Sequence, residues 1–475
     1  MGNMKKLYLL LGVLALVCGA VFLVSRVQQH QEAIRSGTTT VLTLDTSTAT
    51  ALSWEYADNS FSFHKDDQWI YDADNAFPVD QVEIGTLLGQ FEQFTADFTI
   101  EDAQDLSQYG LDDPTCTIHI ETTDGGYDIL LGDYSQMDQQ RYVSIGDGNV
   151  YLASSDPLDV YNVLLAGLIQ NDETPDFDGV TAIRFTGADN YTATYEENNS
   201  STYSTDDVYF TKLGSQSLAL DTTRVNSYLS TITYLNLTDY VTYTADGDAL
   251  AIYGLDDPEL TVSVDYTVTD EDGAETAETF TLALSRDPEQ REKDDDDQDV
   301  TAYVRIGDSA IIYQITADEY NSLMAATRSD LRHQEILWAN FTAIQQVDVT
   351  LEGQTYTLTV EANGDEHVWY YGEEKLSIGD FQSAFAGLTA ATFTTEQPSG
   401  KEELRLTVTL DNENVPSVEI AIYRYDGSFC LVTVDGTPTA LVSRSAATDL
   451  VETVNAIVLN KACSRPYLSC AKGRR

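Results

Sequence analysis

The hexapeptide Tyr-Gly-Leu-Asp-Asp-Pro occurs twice in this chain, as Tyr109, Gly110, Leu111, Asp112, Asp113 and Pro114, and again as Tyr253, Gly254, Leu255, Asp256, Asp257 and Pro258. An identical six-residue run at two places implies internal duplication, and duplication restricts the fold to an array of similar units. Each copy follows a polar, helix-like stretch and leads into alternating strand patterns, CTIHIETTDGGYDILLGD after the first and LTVSVDYTVTDEDGAETAETFTLALS after the second. A proline just ahead of a strand fixes φ and removes a donor the sheet does not yet need. The preceding Gly-Leu-Asp-Asp can turn the chain and accept backbone hydrogen bonds. The motif therefore reads as a structural corner that opens a strand, with the paired aspartates capping the turn. A ligand site duplicated together with the loop is the alternative.

The flanking sequence repeats in the same order. Alternating strands open near residue 38, a helix candidate with Val82, Ile84, Leu87, Leu88 and Phe91 follows Pro78 and Asp80, and strands follow the corner before a closing helix over 157–168. The second copy replays this with helices over 222–233 and 316–327. RYVSIGDGNVYLA is answered by TAYVRIGDSAIIYQI, so that Tyr142 corresponds to Tyr303 and Tyr151 to Tyr313. A third, worn copy begins near Phe341, with helices over 378–388 and 446–459 and EQPSGKEE near the place of the corner. Terminal repeats of an array are commonly atypical. At roughly 150 residues per domain, the length suits three repeats. The expected fold class is α+β, tandem sheet-rich repeats with helices, preceded by one transmembrane helix. The expected boundaries are 1–37 for a membrane anchor and stalk, 38–172 for the first repeat and 173–336 for the second with an acidic insertion. A divergent third repeat takes 337–461, and a basic tail 462–475.

The anchor rests on the uninterrupted apolar run from Leu7 to Val24, preceded by Lys5 and Lys6. Its length approaches that of a spanning helix, and the lysines favour a cytoplasmic N-terminus with the bulk of the chain extracellular. A cleaved secretory signal has the same layout, but Ser-Arg-Val-Gln after Val24 is a poor cleavage pattern. The chain as a whole carries a formal net charge of -53, from 78 acidic and 25 basic residues. That excludes binding to nucleic acid or to anionic lipid through a broad basic surface.

The search for chemistry is mostly negative. There is no HExxH, GxSxG, P-loop or dinucleotide glycine pattern, and the five histidines are scattered. No catalytic or cofactor-binding residue is assigned, and the expectation is a protein that is not an enzyme and carries no cofactor. Cys18, Cys116, Cys430, Cys463 and Cys470 make no CxxC pair, and Cys463 with Cys470 could close a small loop. The run Asp294 to Asp297 with Asp299 could hold a divalent cation weakly, yet it lacks the glycine and closing glutamate of a calcium loop, and a solvated insertion is preferred. Trp54, Trp69, Trp338 and Trp369 with Tyr370 and Tyr371 could stack on sugars, but aromatics in alternating strands ordinarily pack across strands.

Tyr-Gly-Leu-Asp-x-Pro before a strand, the upstream helix and the recurring Tyr-Val-x-Ile-Gly-Asp pattern with its tyrosine strand pair resemble the bacterial domain of unknown function DUF4340. Members of that family are typically membrane-anchored and exported. The resemblance covers both full repeats and, more faintly, the third. It implies at most an auxiliary role beside an ABC-type exporter of the kind linked to gliding motility, and it carries no catalytic residues. The chain departs from the simplest member by repetition. The expected function is that of a membrane-anchored extracytoplasmic scaffold or accessory protein contacting an envelope or transporter partner. An extracellular glycan- or peptide-binding module is the alternative, and an enzyme comes third.

Overall fold

A computed structural model of the chain describes residues 34–187, 189–293, 300–363 and 366–464. The apolar run at 7–24, the acidic run at 294–299 and Cys470 lie outside the described residues. Among those residues no helix is long and apolar enough to cross a membrane.

The chain divides into two compact units. The first ends at Asp172 and includes Thr238–Thr244; the second holds Glu173–Leu237 and the chain from Ala245 onward. The first unit is built on β1 (Ile34–Leu42), β2 (Ala49–Tyr56), β3 (Asn59–Lys65), β4 (Trp69–Tyr71), α1 (Gln81–Gly89), β5 (Phe94–Ile100), β6 (Cys116–Thr122), β7 (Gly125–Ser135), β8 (Gln140–Ser144), β9 (Val150–Ala153) and α2 (Leu158–Tyr161). Its antiparallel sheet has the order β4-β3-β2-β6-β7-β8-β9-β5-β1. The second unit begins with β10 (Ala182–Gly187), β11 (Tyr191–Tyr195), β12 (Tyr209–Leu213), β13 (Gln216–Ala219) and α3 (Thr222–Thr233). The short β14 (Tyr240–Thr242) clusters with the first unit. There follow α4 (Gly247–Ile252), β15 (Leu260–Thr269), β16 (Glu275–Arg286), α5 (Pro288–Lys293), β17 (Ala302–Ile306), β18 (Ile312–Ile315), α6 (Ala317–Met324) and α7 (Arg328–Leu331). The strands of this second sheet run β13-β12-β11-β10-β15-β16-β17-β18.

The same unit continues into β19 (Ile344–Leu351), β20 (Gln354–Asn363), β21 (Glu366–Tyr371), β22 (Glu374–Lys375), α8 (Gly379–Ala386), β23 (Ala390–Phe393), β24 (Glu402–Leu410), β25 (Ser417–Arg424), β26 (Phe429–Val434), β27 (Thr437–Ser443) and α9 (Arg444–Ser464). Its order is β22-β21-β20-β19-β24-β25-β26-β27-β23. Laid side by side, the three orders share one plan: an opening meander, then a long hairpin inserted at its inner strand, then two further strands. The faint third copy is thus a full sheet. Its central strand β24 buries Leu404, Leu406, Val408 and Leu410, just as β6 buries Cys116, Ile118 and Ile120 and β15 buries Leu260, Val262 and Val264. Alternation at period two puts each set on one face, and each buried aliphatic contributes roughly 1.5–3 kcal/mol.

The helices follow from caps and apolar stripes. Asp80 accepts from the Val82 and Glu83 amides to start α1, and Asp221 does the same for α3 through Thr223 and Arg224. Helix α3 buries Val225, Tyr228, Leu229 and Ile232 over the span expected from the sequence. In α1 the inward residues are Ile84, Leu87 and Leu88, whereas Val82 is 73% exposed. The helix expected over 157–168 is broken into α2 and a 3-10 turn at Leu165–Leu168. The Asp156 carboxylate that accepts from the Leu158 amide also holds Arg141, so this helix start is pinned to β8.

Candidate functional site

At both corners the chain does what its glycine requires. The first corner closes the 3-10 turn Leu106–Tyr109, with Gly110 left-handed at φ 67 and the Leu111 amide donating to the Leu106 carbonyl at 3.1 Å. The second closes α4, with Gly254 at φ 70 and the Leu255 amide donating to the Leu250 carbonyl at 2.8 Å. This wrap-back from one residue past a left-handed glycine satisfies helix-end carbonyls that would otherwise be orphaned. Tyr109 packs on Tyr142 at 5.0 Å and Tyr253 on Tyr303 at 4.8 Å, so the tyrosine correspondence read from the sequence is a shared ring contact. Leu111 and Leu255 are buried.

The aspartates behave differently from the expectation. Asp112, Asp113, Asp256 and Asp257 are exposed, and Pro114 and Pro258 are half-buried beside them. The caps come instead from upstream: Asp105 accepts from the Ser107 amide, and Asp246 from the Asp248 and Ala249 amides. Asp257 meets Arg291 at 4.0 Å. The residue after Pro258 has the more demanding role. Glu259 receives the Arg286 guanidinium at 2.8 Å and the Tyr320 hydroxyl at 3.1 Å. Burial pushes its carboxyl up, but these hydrogen bonds outweigh that and hold it below the usual glutamate range. The corners therefore knit helix ends to strands and bring no catalytic set together.

Among the described residues no three His, Cys, Asp or Glu side chains converge on a point that could hold a metal ion. Cys116 and Cys430 are free and buried, and burial pushes the Cys116 thiol up to about 12. His119 lies on β6, 2.7 Å from Asp128 and 3.4 Å from Glu121.

The segment after α7 carries the most concentrated polar chemistry. Asp207 is buried and receives the His333 Nε2 at 2.8 Å, the Trp338 Nε1 at 2.9 Å and the Thr202 hydroxyl. The His333 and Trp338 rings stack at 4.5 Å, and Tyr203 packs on the other ring of the pair, Trp338, at 4.5 Å. Burial raises the Asp207 carboxyl, yet the hydrogen bonds from His333, Thr202 and Trp338 prevail and hold it below the aspartate range. Asn412 then donates to the Tyr203 carbonyl at 3.0 Å. Through these contacts the second and third sheets are fastened within one unit.

Beside this seam lies a cleft of 570 Å³. The β12–β13 hairpin supplies Leu213 and Leu218, the two ends of the short α7 supply Arg328 and Arg332, and β23 supplies Phe393. Thr394, Thr439 and Glu396 complete its polar wall. Arg328 is paired with Asp189 at 2.6 Å and lies over the Tyr191 ring. The Arg332 guanidinium carbon stands 3.8 Å from the Phe393 ring centroid, and burial pulls this group down to about 10. Sequence reading missed this cleft because its residues come from separate repeats and form no linear pattern.

Neither the curated proteins nor the solved structures offer a match to this chain. A family model does match, twice in tandem, over residues 69–258 and 214–407, which together exceed half of the chain. Each match takes in strands of one sheet and the opening strands of the next; the first spans both corners and the second takes in the one at Tyr253–Pro258. On that agreement, which spans both corners, the chain belongs to the family described as the domain of unknown function DUF4340.

Proposed function

We propose that this chain is a membrane-anchored extracytoplasmic scaffold or accessory protein, held by the apolar run from Leu7 to Val24 and contacting an envelope or transporter partner. The observation that supports it best is the threefold use of one strand order, a plan that presents a similar surface three times. The surface charge fits a solvated extracellular array, with a formal net charge of -53. Its polar pairs do structural work: Arg141 with Asp156 and Arg286 with Glu259 join elements within a repeat. Mild crosslinking of intact cells followed by purification of the full chain from membranes is the test. Recovery of ABC-type transporter subunits in stoichiometric amounts supports the accessory role. Recovery of abundant membrane proteins alone, or release of the chain into the medium after cleavage near Val24, overturns it.

A second reading, an extracellular ligand-binding module, is favoured by one specific observation: the 570 Å³ cleft with an aromatic floor at Phe393.

A further inference from the structure

This is a chain in which cations are scarce, and most described arginines are taken up by the protein itself. Arg141 holds Asp156, Arg184 holds Asp265, Arg286 holds Glu259, and Arg405 lies between Glu402 and Glu419. Arg332 differs. Among the described residues its guanidinium has no carboxylate and no hydrogen-bond acceptor, although most of it is withdrawn from water. A charge so placed carries a desolvation cost that the Phe393 ring offsets only in part, and a ligand anion would offset the rest.

The geometry restricts that anion. The Arg332 guanidinium carbon stands over the Phe393 ring, 3.8 Å from its centroid. A ring carries no acceptor, so the planar fork of guanidinium donors is left for a carboxylate to engage in bidentate fashion. The Arg332 main chain is held on both sides: its amide donates to Arg328, and its carbonyl accepts from the Gln334 side chain at 3.0 Å. Thr394 and Thr439 line the same wall, and Leu213, Leu218 and Pro438 offer apolar surface. Two acids also line the cleft. Asp189 is neutralised by Arg328, and Glu396 takes the Tyr425 hydroxyl at 2.9 Å. With one uncompensated cation and a free glutamate charge nearby, a dianion such as a phosphate ester is disfavoured and a monoanion is selected.

We infer that this cleft binds a small organic monocarboxylate, its carboxylate on Arg332 and its apolar body against Phe393, Leu218 and Pro438. The volume lies within the roughly 300–1,000 Å³ typical of small-ligand sites. The inference goes beyond the scaffold reading and does not depend on membrane anchoring or on any protein partner.

The test uses the purified full chain and ligand-observed NMR titration with 3-phenylpropanoate, 3-phenylpropanamide and phenyl phosphate at physiological ionic strength. Saturable binding of the acid is expected, at least about tenfold tighter than that of the neutral amide, with the phosphate weaker than the acid. Arg332→Gln is expected to remove the preference for acid over amide, and Arg332→Lys to retain part of it. Absence of saturable binding, equal affinity for acid and amide, or tighter binding of phenyl phosphate overturns the inference. Should Arg332→Gln lose its near-ultraviolet circular dichroism, the comparison of acid with amide on the unaltered protein decides.

Discussion

Gly132 on β7 runs so close under Tyr109 that a Cβ atom added to it would stand 2.1 Å from the Tyr109 carbonyl oxygen. The corner therefore depends on two glycines distant in sequence, because Gly110 is itself left-handed and its Cβ would lie 2.6 Å from the Asp133 carboxyl carbon. Gly132→Ala meets backbone, which cannot swing aside, and is expected to destabilise the first unit more than Gly110→Ala. The latter should cost about 1–3 kcal/mol from the positive φ alone. The shift in the urea unfolding midpoint checks the order; equal shifts would show that the Tyr109 backbone yields.

The second corner turns identically with a different neighbour. Cys116 faces Leu131 in the first hairpin and Leu260 faces Leu284 in the second, which places Ser285 where the first repeat has Gly132. Ser285 is fully buried and its hydroxyl donates to the Arg286 carbonyl at 2.9 Å. Glu259 and Arg286 close this corner with a part-buried ion pair. Glu259→Ala leaves the Arg286 guanidinium and the Tyr320 hydroxyl without their shared acceptor, and a loss of about 2–4 kcal/mol is expected. Replacing Thr115, the equivalent position after Pro114, by alanine removes one 3.3 Å hydrogen bond to Gly132 and should cost below about 1 kcal/mol. Chemical denaturation of the two variants side by side measures the contrast, and a Thr115→Ala loss equal to that of Glu259→Ala would refute it.

Asp207 predicts the strength of the seam between the second and third sheets. Its carboxylate takes donors from Thr202, His333 and Trp338, and Asp207→Ala strands the last two in a buried setting. An expected loss of about 3–5 kcal/mol follows from breaking one side of a buried charged network. The folded carboxyl lies below its unfolded value, so its stabilisation is present above about pH 4 and disappears as pH falls through the folded pKa. Trp338 fluorescence during acid titration reports the event directly, and an unchanged acid midpoint in Asp207→Asn would contradict the assignment.

Much of the architecture was legible in the residues, and the reasons are local. Alternation in CTIHIET, LTVSVDYTVT and EELRLTVTL specifies one buried face per strand, and the same rule reaches the third repeat, where the corner motif is lost. Helix α3 forms over the span expected from the sequence, where Asp221 caps it and its buried stripe ends at Ile232. What the pattern could not show was where local propensity yields to a tertiary bond. Asp156 serves both Arg141 and the Leu158 amide, and the helix stops short at Tyr161. The cleft lay further out of reach: Arg332 and Phe393 meet because the backbone of the intervening linker pairs with β23, the Ala390 amide donating to the Gln334 carbonyl at 2.7 Å. No spacing rule encodes such a meeting.

His119 makes the last prediction, and its sign is opposite to that of Asp207. It sits on β6 with its imidazole against Asp128 and Glu121, and the hydrogen bond it donates to Asp128 leads the causes that raise its pKa above the usual histidine value. A raised folded value means that protonation favours the folded state. The contribution is complete below about pH 6.5, the unfolded value, and is lost as pH rises through the folded pKa. The side chain is 41% exposed and Asp128 is 76% exposed, so solvent screening keeps the effect below about 1 kcal/mol. The difference in unfolding midpoint between the native chain and His119→Gln should therefore be larger at pH 5.5 than at pH 8.5, and it should shrink in molar salt because surface charges are screened. Asp128→Asn should reduce the same pH dependence while leaving β6 in place, since the Ile118 and Ile120 side chains that bury that strand are untouched. A midpoint difference independent of pH would mean that His119 acts through packing, and the ion pair would then have no part in holding the hairpin.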